Sequence, residues 1–515
     1  MLDALAQAIS SALSWQVLWY LVIGVFIGYL VGALPGMNRT TAIALLLPFT
    51  VDLSPLVALS FLIGINKGGA AGSAVSAILI NVPGEPSSVV TTLDGYPMSR
   101  QGKSRKALQI GLIASVLGDL FATMVLIVLT APLAKIALGT GPIELSALLI
   151  FTMTFIAAAS GTSFYKGILS GLMGLLLATV GLDPETGLPR LTFGYLELQD
   201  GIPLLAVAIG TLALAEIFVQ TDRGRHGMYD RQPPSASTTR DDRLSFAEFK
   251  AITPAIFKGS IVGIGVGILP GLGATLSSFL GYNWVKRTSK TPELFGAGAP
   301  EGVAASESAD NASVPGSLVP VFAIGLPGSL STALLMGAFM MHGITPGPFL
   351  LRDDSALVYG IFIAMMMASV VLLVVGYFGQ QFFSKIILAG DRVILPIIVF
   401  FCFLGAYLES ASMFSVFLML GFAVAGYLMK KFDYSFVTFV VGYVLGPMAE
   451  LSFRQAAILS DGNPMALLNH PFAIFFLVLA VFSAWRLSKW NTQALAKFDT
   501  EVRPKAGQQS FHENI

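Results

Sequence analysis

The stretches GIGVGILPG (residues 263–271) and AIGLPGS (residues 323–329) each interrupt an apolar run with a Pro-Gly pair, and the fold follows from where such breaks can exist. Between them lies a polar, acidic segment, EGVAASESADNA (301–312), after which residues 311–351 carry no Asp, Glu, Lys or Arg. Inside a bilayer, Pro and Gly free backbone carbonyls and amides that hydrocarbon cannot satisfy, so breaks survive only against protein or a watery cavity. They are therefore the first place to look for a site.

Of the 515 residues 55% are hydrophobic and only 12% charged, with a mean hydropathy of +0.76, where soluble domains carry about a quarter charged residues. Runs free of charge and long enough for about 30 Å of hydrocarbon occur at 4–38, 145–165, 259–285, 355–384, 410–429 and 462–485. A soluble helical protein needs charged outer faces, which these runs lack. The chain reads as an all-α polytopic membrane protein. Thirty basic and thirty acidic side chains cancel, which leaves no electrostatic footprint for a nucleic acid. The single cysteine, Cys402, excludes an internal disulfide and a cysteine-rich metal centre. No Lys or Arg precedes Arg39, so the basic start of a cleavable signal is missing and the first run is expected to stay as a span.

The first half echoes the second. GYLVGALPG (28–36) matches GIGVGILPG (263–271), each residue lying 235 positions before its counterpart (28 to 263, 36 to 271). GSAVSAILINVPG (72–84) matches GSLVPVFAIGLPG (316–328) at 244 positions (72 to 316, 84 to 328). Two ordered matches define two homologous halves. They are expected as transmembrane repeats at 1–220 and 256–490, joined by a linker at 221–255 and followed by a polar tail at 491–515. Arginines in the linker and four basic residues in 100–106 place both in the cytoplasm by the positive-inside rule. The loop 345–354, with two aspartates against one arginine, falls outside, whereas its counterpart 94–106 falls inside. The halves are therefore expected to be inverted, with about 12 spans and broken or re-entrant helices near the midplane.

The Pro-Gly breaks place helix ends within the membrane, where free amides attract anions and free carbonyls attract cations. Gly36, Gly84, Gly271 and Gly328, with Pro83 and Pro327, are expected to present backbone, and Asn38, Ser73, Asn311, Ser317 and Ser329 neutral donors, to one small anion. Gly and Ser also serve close helix packing. Arg39 offers a carboxylate a planar fork or snorkels to an interface, and Lys67 shares that ambiguity. Asp119 interrupts an apolar run near its middle, where it binds a coupling Na⁺ or proton or makes a structural hydrogen bond. Glu301 and Glu307 read as a solvated loop or the first turn of a helix. The four histidines form no ligand spacing and no nucleophile–base set is evident, so no metal, cofactor or enzyme activity is expected.

These motifs resemble, over nearly the whole chain, the large membrane subunit of the tripartite tricarboxylate transporters. The matches are INVPGEPSSVVTTLDGYP (80–97), VGLDPETGLPRLTFGYLELQDGIPLLAVAIGTLALAEI (180–217), GILPGLGATLSSFLGY (267–282), EGVAASESADNASVPGSLVPVFAIGLPGS (301–329) and HGITPGP (342–348). The resemblance implies a multi-pass subunit of the bacterial cytoplasmic (inner) membrane, embedded in lipid. It also implies a small integral membrane subunit and a periplasmic solute-binding protein as partners, with carboxylate uptake coupled to Na⁺ or H⁺. Where the family has a tyrosine- and glycine-rich segment before Pro83, this chain has GINKGGAAGSA (64–74), so the particular carboxylate stays open. The competing classes are an ion channel, which calls for one continuous polar pore pattern, and a membrane-embedded enzyme, which calls for a reactive constellation. The two duplicated broken blocks favour a carrier.

Overall fold

The protein is described by a computed structural model covering residues 2–34, 37–159, 163–224, 242–386, 391–463 and 469–486. Pro35 and Gly36, most of the linker (225–241) and the polar tail (491–515) lie outside the described residues. The chain is helical almost throughout. The first helices are α1 (Leu2–Ala12), α2 (Trp15–Ala33), α3 (Arg39–Leu46), α4 (Pro55–Ile80), α5 (Val89–Arg100) and α6 (Ser104–Ala137). Next come α7 (Pro142–Ala159), α8 (Phe164–Ala178), a two-stranded hairpin of β1 (Gly181–Leu182) and β2 (Pro189–Arg190), and α9 (Leu204–Ala208). A wide π turn (Ile209–Leu214) leads from α9 into α10 (Ala215–Gly224). The second half holds α11 (Phe246–Ile268), α12 (Gly273–Thr288), α13 (Pro300–Ile324), α14 (Leu330–Met341), α15 (Pro348–Asp353), α16 (Ser355–Ile386), α17 (Asp391–Ser410), α18 (Met413–Lys431) and α19 (Phe436–Leu459). A last helix, α20, covers Pro471–Arg486. Among the described residues seven helices are long and apolar enough to cross a membrane, and six shorter apolar helices accompany them.

Two expectations change. The first apolar run is two helices, because Ser14 caps α2 by accepting the Val17 amide and so ends α1 before it. The acidic segment 301–312 is neither loop nor first turn as a whole. It lies inside α13, which Pro300 opens at a position whose missing amide costs nothing. Glu301 does sit in the first turn, where it accepts the Ser289 hydroxyl at 2.9 Å. Glu307, two turns further, is fully buried.

The chain forms two compact units, Met1–Gly139 with Pro203–Tyr427, and Thr140–Ile202 with Leu428–Ile515. The larger is organised by two glycine seams. Gly24, Gly28 and Gly32 of α2 lie against the carbonyls of Phe61, Ile65 and Gly69 on α4. At the offsets of the sequence repeat, Gly259, Gly263 and Gly267 of α11 lie against the carbonyls of Ala305, Ala309 and Ser313 on α13. Spacing by four residues keeps each trio on one helix face, and the missing side chains let the backbones touch, which is how helices associate where lipid removes the hydrophobic drive. Both α4 and α13 end on a left-handed residue, Asn81 at φ 58° and Gly325 at φ 76°. Each end leads into a Pro-Gly break. A carboxylate ties the halves at one end: Asp94 of α5 accepts the amides of Gly296, Gly298 and Ala299 at 2.8, 2.9 and 2.8 Å, and the Tyr282 hydroxyl at 2.9 Å.

The smaller unit repeats the seam in another pair, with Gly171 and Gly174 of α8 against Thr438, Phe439 and Gly442 of α19. Its hairpin is pinned by ion pairs, Arg190 to Glu450 at 2.6 Å and Arg454 to Asp183 and Glu450. Hydrogen bonds from Arg454, then the amides of Thr186 and Glu185, hold the Asp183 carboxyl well below the usual carboxylate range.

The seam makes a sharp comparison within one helix. A Cβ on Gly263 meets the Ala309 carbonyl and the Ala312 Cβ, whereas Gly265 has nothing within 4 Å. Gly263→Ala should therefore cost about 1–3 kcal/mol of overpacking, and Gly265→Ala should be neutral or gain up to about 1 kcal/mol of helix propensity. Thermal unfolding of the two variants in detergent reads the difference; equal melting temperatures would remove the seam as a determinant of the fold.

Candidate functional site

The site is built on Arg39, the first residue of α3. Asn38 caps this helix, its Oδ1 accepting the Thr41 amide at 2.8 Å and the Thr41 hydroxyl at 3.0 Å. Gly69 leaves the space the arginine stem needs, since a Cβ there would sit 2.6 Å from the Arg39 Cβ. Directly after the Pro83-Gly84 break, Glu85 clamps the residue from two directions. Its Oε1 accepts the Arg39 amide at 2.8 Å and its Oε2 lies 3.3 Å from Nε. From α13, Asp310 places Oδ1 3.6 Å from Nη2 while its Oδ2 accepts the Ser87 hydroxyl at 2.8 Å. The arginine is buried, 8% exposed, and its Nη1 has no hydrogen-bond partner.

Arg39 borders a cavity of about 20 Å³ with Ser313 and Ser317 of α13, Gly328 and Ser329 of the second break, Ser331 of α14, and Gly273 and Ala274 at the start of α12. That is room for one water molecule and no carbon skeleton. Ser329 caps α14 through a reciprocal bond with Thr332, so the beginnings of α3, α12 and α14 converge on this space. Helix starts carry unsatisfied amides and positive partial charge. Arg39, four serines and three helix starts therefore line one small space, with the Ser313 and Ser317 hydroxyls donating to the carbonyls of Asp310 and Val314.

The expected residues thus separate. Arg39, Ser317, Gly328 and Ser329 meet at the cavity. Gly271, at φ 82°, gives its amide to the Gly328 carbonyl at 3.0 Å, joining the two breaks of the second half. Ser73 donates to the Ala70 carbonyl within α4, and its Cα lies 3.1 Å from where a Gly84 Cβ would stand. A Cβ on Gly328 would be 2.8 Å from the Ser317 Cα, so in both halves the break glycine admits a helical serine. Pro83 and Pro327 directly precede those glycines. Asn311 faces away from the cavity, donating to Ser115 of α6 at 2.9 Å and to the Glu307 carbonyl at 3.0 Å.

The residues that sequence reading missed are the carboxylates and hydroxyls behind Arg39: Glu85, Ser87, Thr91, Ser115, Glu307 and Asp310. Glu307 accepts the Thr91 hydroxyl on Oε1 and the Ser115 hydroxyl on Oε2, the latter at 3.1 Å. A signal existed, because Glu307, Asp310 and Asn311 fall at i, i+3 and i+4, one face of a helix rather than a loop.

The sequence pattern of the tripartite tricarboxylate transporter TctA family matches residues 18–441. The chain belongs to the TctA family. An uncharacterized 52.8 kDa protein in the TAR-I ttuC' 3' region of Agrobacterium vitis is 36% identical over 448 residues, 87% of this chain and 88% of the relative. A second uncharacterized protein of that organism, in the TAR-II ttuC' 3' region, is 34% identical over 216 residues, 42% of this chain and 89% of the relative. No solved structure matches. TctA membership and the apolar helices make this a multi-pass membrane protein of a transporter family.

A second buried charge pair in this TctA chain accounts for Lys67 and Asp119. Lys67 Nζ of α4 donates to Asp119 Oδ2 at 2.7 Å, the Met365 carbonyl at 2.7 Å, Ser369 at 3.1 Å and Thr123 at 3.3 Å, and Ser369 also donates to Asp119. The pair joins α4, α6 and α16 with balanced charge. Removing one partner strands the other, so Asp119→Asn or Lys67→Met alone should cost about 3–5 kcal/mol, and the double variant Lys67→Met/Asp119→Leu should recover most of it. Melting temperatures of the three proteins give the comparison. A double variant no more stable than either single one contradicts a role as a tie.

Proposed function

We propose that this chain is the large membrane subunit of a secondary transporter of the bacterial inner membrane that takes up a small organic anion bearing one or more carboxylates. It works with a small membrane subunit and a periplasmic binding protein, and not as an enzyme. The observation that carries the reading is the Arg39 guanidinium, buried with Nη1 unused, at a hydroxyl-lined space where three helices begin. A guanidinium fork fits a carboxylate in two directions, whereas an ammonium does not. The cavity admits only a water in this conformation, so substrate entry requires the break segments to part. Driving a carboxylate inward against a negative-inside potential costs about 2.3 kcal/mol per charge per 100 mV, so a coupling cation, Na⁺ or H⁺, is part of the reading. Two carboxylate sets are available to it: Asp119 beside Lys67, and the group around Arg39.

The proposal extends to inverted repeats. What supports it is the parallel series of elements, α2 to α6 against α11 to α16, with opposite charge in the loops that precede α6 and α16. In a variant with Cys402→Ala, single cysteines at Ser104 and Ser355 should react with a membrane-impermeant maleimide from opposite sides. Labelling of both from one side defeats inversion.

Arg39→Lys keeps the buried positive charge and removes the fork. Counterflow of labelled succinate, malate and citrate in proteoliposomes separates a carrier from a channel. For whichever acid exchanges, the variant should raise the apparent KM at least about tenfold, the 1.4 kcal/mol of one good charged contact. An unchanged KM removes Arg39 from the substrate site.

A further inference from the structure

The buried charges around Arg39 do not balance. One guanidinium faces three carboxylates, Glu85, Glu307 and Asp310, which are 5%, 0% and 1% exposed. Glu307 lies within electrostatic reach of Arg39, Asp310 and Glu85. The other ionisable groups on the surrounding helices do not make up the difference. Lys67 pairs with Asp119, Lys106 with Glu248, and Asp94 is held by three amides and Tyr282. Tyr29 of α2, also within reach of Glu307, adds no positive charge. Burying unmatched negative charge is unfavourable, and a substrate carboxylate arriving at Arg39 makes the excess larger.

One buried atom marks this place as one where a ligand belongs, independently of the acids. Arg39 Nη1 lacks a hydrogen-bond partner, whereas Asp310 Oδ1 faces Nη2 at 3.6 Å. The unused donor asks for an anion, and the anion asks for a compensating positive charge nearby.

The geometry at Glu307 suits a proton. Asn311 Nδ2 donates to the Ser115 oxygen, which leaves the Ser115 hydrogen for Glu307 Oε2. On the other side Thr91 Oγ1 stands between Glu307 Oε1 and Ser306 Oγ, 3.0 Å away, and Ser306 in turn reaches the Val303 carbonyl at 3.1 Å. With Glu307 ionised, Thr91 donates to it. With Glu307 protonated, the new O–H donates to Thr91, Thr91 donates to Ser306, and Ser306 donates to Val303. Only the Thr91 hydroxyl turns between the two states, so the proton can come and go without displacing a heavy atom.

We propose that Glu307 carries the coupling proton of this chain, with the Thr91–Ser306 hydroxyl pair as its switch. The proposal rests on the reading of the Arg39 cavity as the carboxylate site. One proton from the outer phase converts the Glu307 carboxylate to the acid as the substrate anion docks on Arg39, and both leave to the inner phase. By linkage each ligand strengthens the binding of the other.

The test uses the full chain co-reconstituted in proteoliposomes with its small membrane subunit and supplied with the periplasmic binding protein, with labelled succinate, malate and citrate, in an exchange arm and an accumulation arm driven by an alkaline interior without Na⁺. For the acid that exchanges, Glu307→Gln should keep exchange and its melting temperature, lose accumulation under the pH gradient at least about tenfold, and flatten the pH dependence of KM. Thr91→Val should lose accumulation with Glu307 intact, and Thr91→Ser should restore it. Glu307→Gln accumulating like the natural chain overturns the proposal. So does accumulation by the natural chain that follows a Na⁺ gradient and ignores pH. No exchange by the natural chain overturns the carboxylate reading itself, whereas exchange without proton-driven accumulation overturns this proposal alone.

Discussion

A guanidinium held among carboxylates, out of reach of bulk water, is the constraint on which the centre of this protein depends. Charge buried in a low-dielectric interior must find its counter-charge at contact distance. Arg39 therefore fixes the positions of the segment after α4, the middle of α13 and the start of α3 at once. Each local feature around it answers to that demand: the Asn38 cap that begins the helix at the arginine, the Gly69 gap that admits its stem, and the Glu85 clamp on its amide and Nε. The same positive field that would draw an anion to the cavity holds the carboxylates behind it, so the proposed substrate site and the acidic cluster are one electrostatic object.

The two buried charge clusters behave differently because their sums differ. Lys67 and Asp119 cancel, and every donor of the ammonium finds an acceptor. Such a pair ties three helices together, with only Asp119 Oδ1 left without a hydrogen-bond partner. The Arg39 group brings three carboxyls to one guanidinium, so its net charge depends on how many of them hold protons.

Much of the architecture was legible in the sequence because apolar length, Pro-Gly breaks and a constant offset are one-dimensional properties. The matches at 235 and 244 positions reappear as matching glycine contacts, down to Gly28 against Ile65 and Gly263 against Ala309. What stayed hidden were partners brought together from far apart in the chain. Asp119 looked unpaired because Lys67 is 52 residues away, and Glu307 looked solvated because Thr91 and Ser115 lie on other helices. Asn311 was grouped with Ser317 by nearness in sequence, yet six residues along a helix turn through about 600°, which sends them to different faces. Composition blurred α13, whose Ser and acidic residues are sequestered by neighbours and not by water.

The glycine seams also bear on how such a chain can move. Along each seam the backbones touch with few side chains between them, so α2 with α4 and α11 with α13 each read as a stiff beam. Between these beams and the elements that follow, the chain is left-handed at Asn81, Gly271 and Gly325. Under the carrier reading proposed above, two beams joined by a few short hinges would let the centre open first to one side and then to the other while the scaffold stays intact.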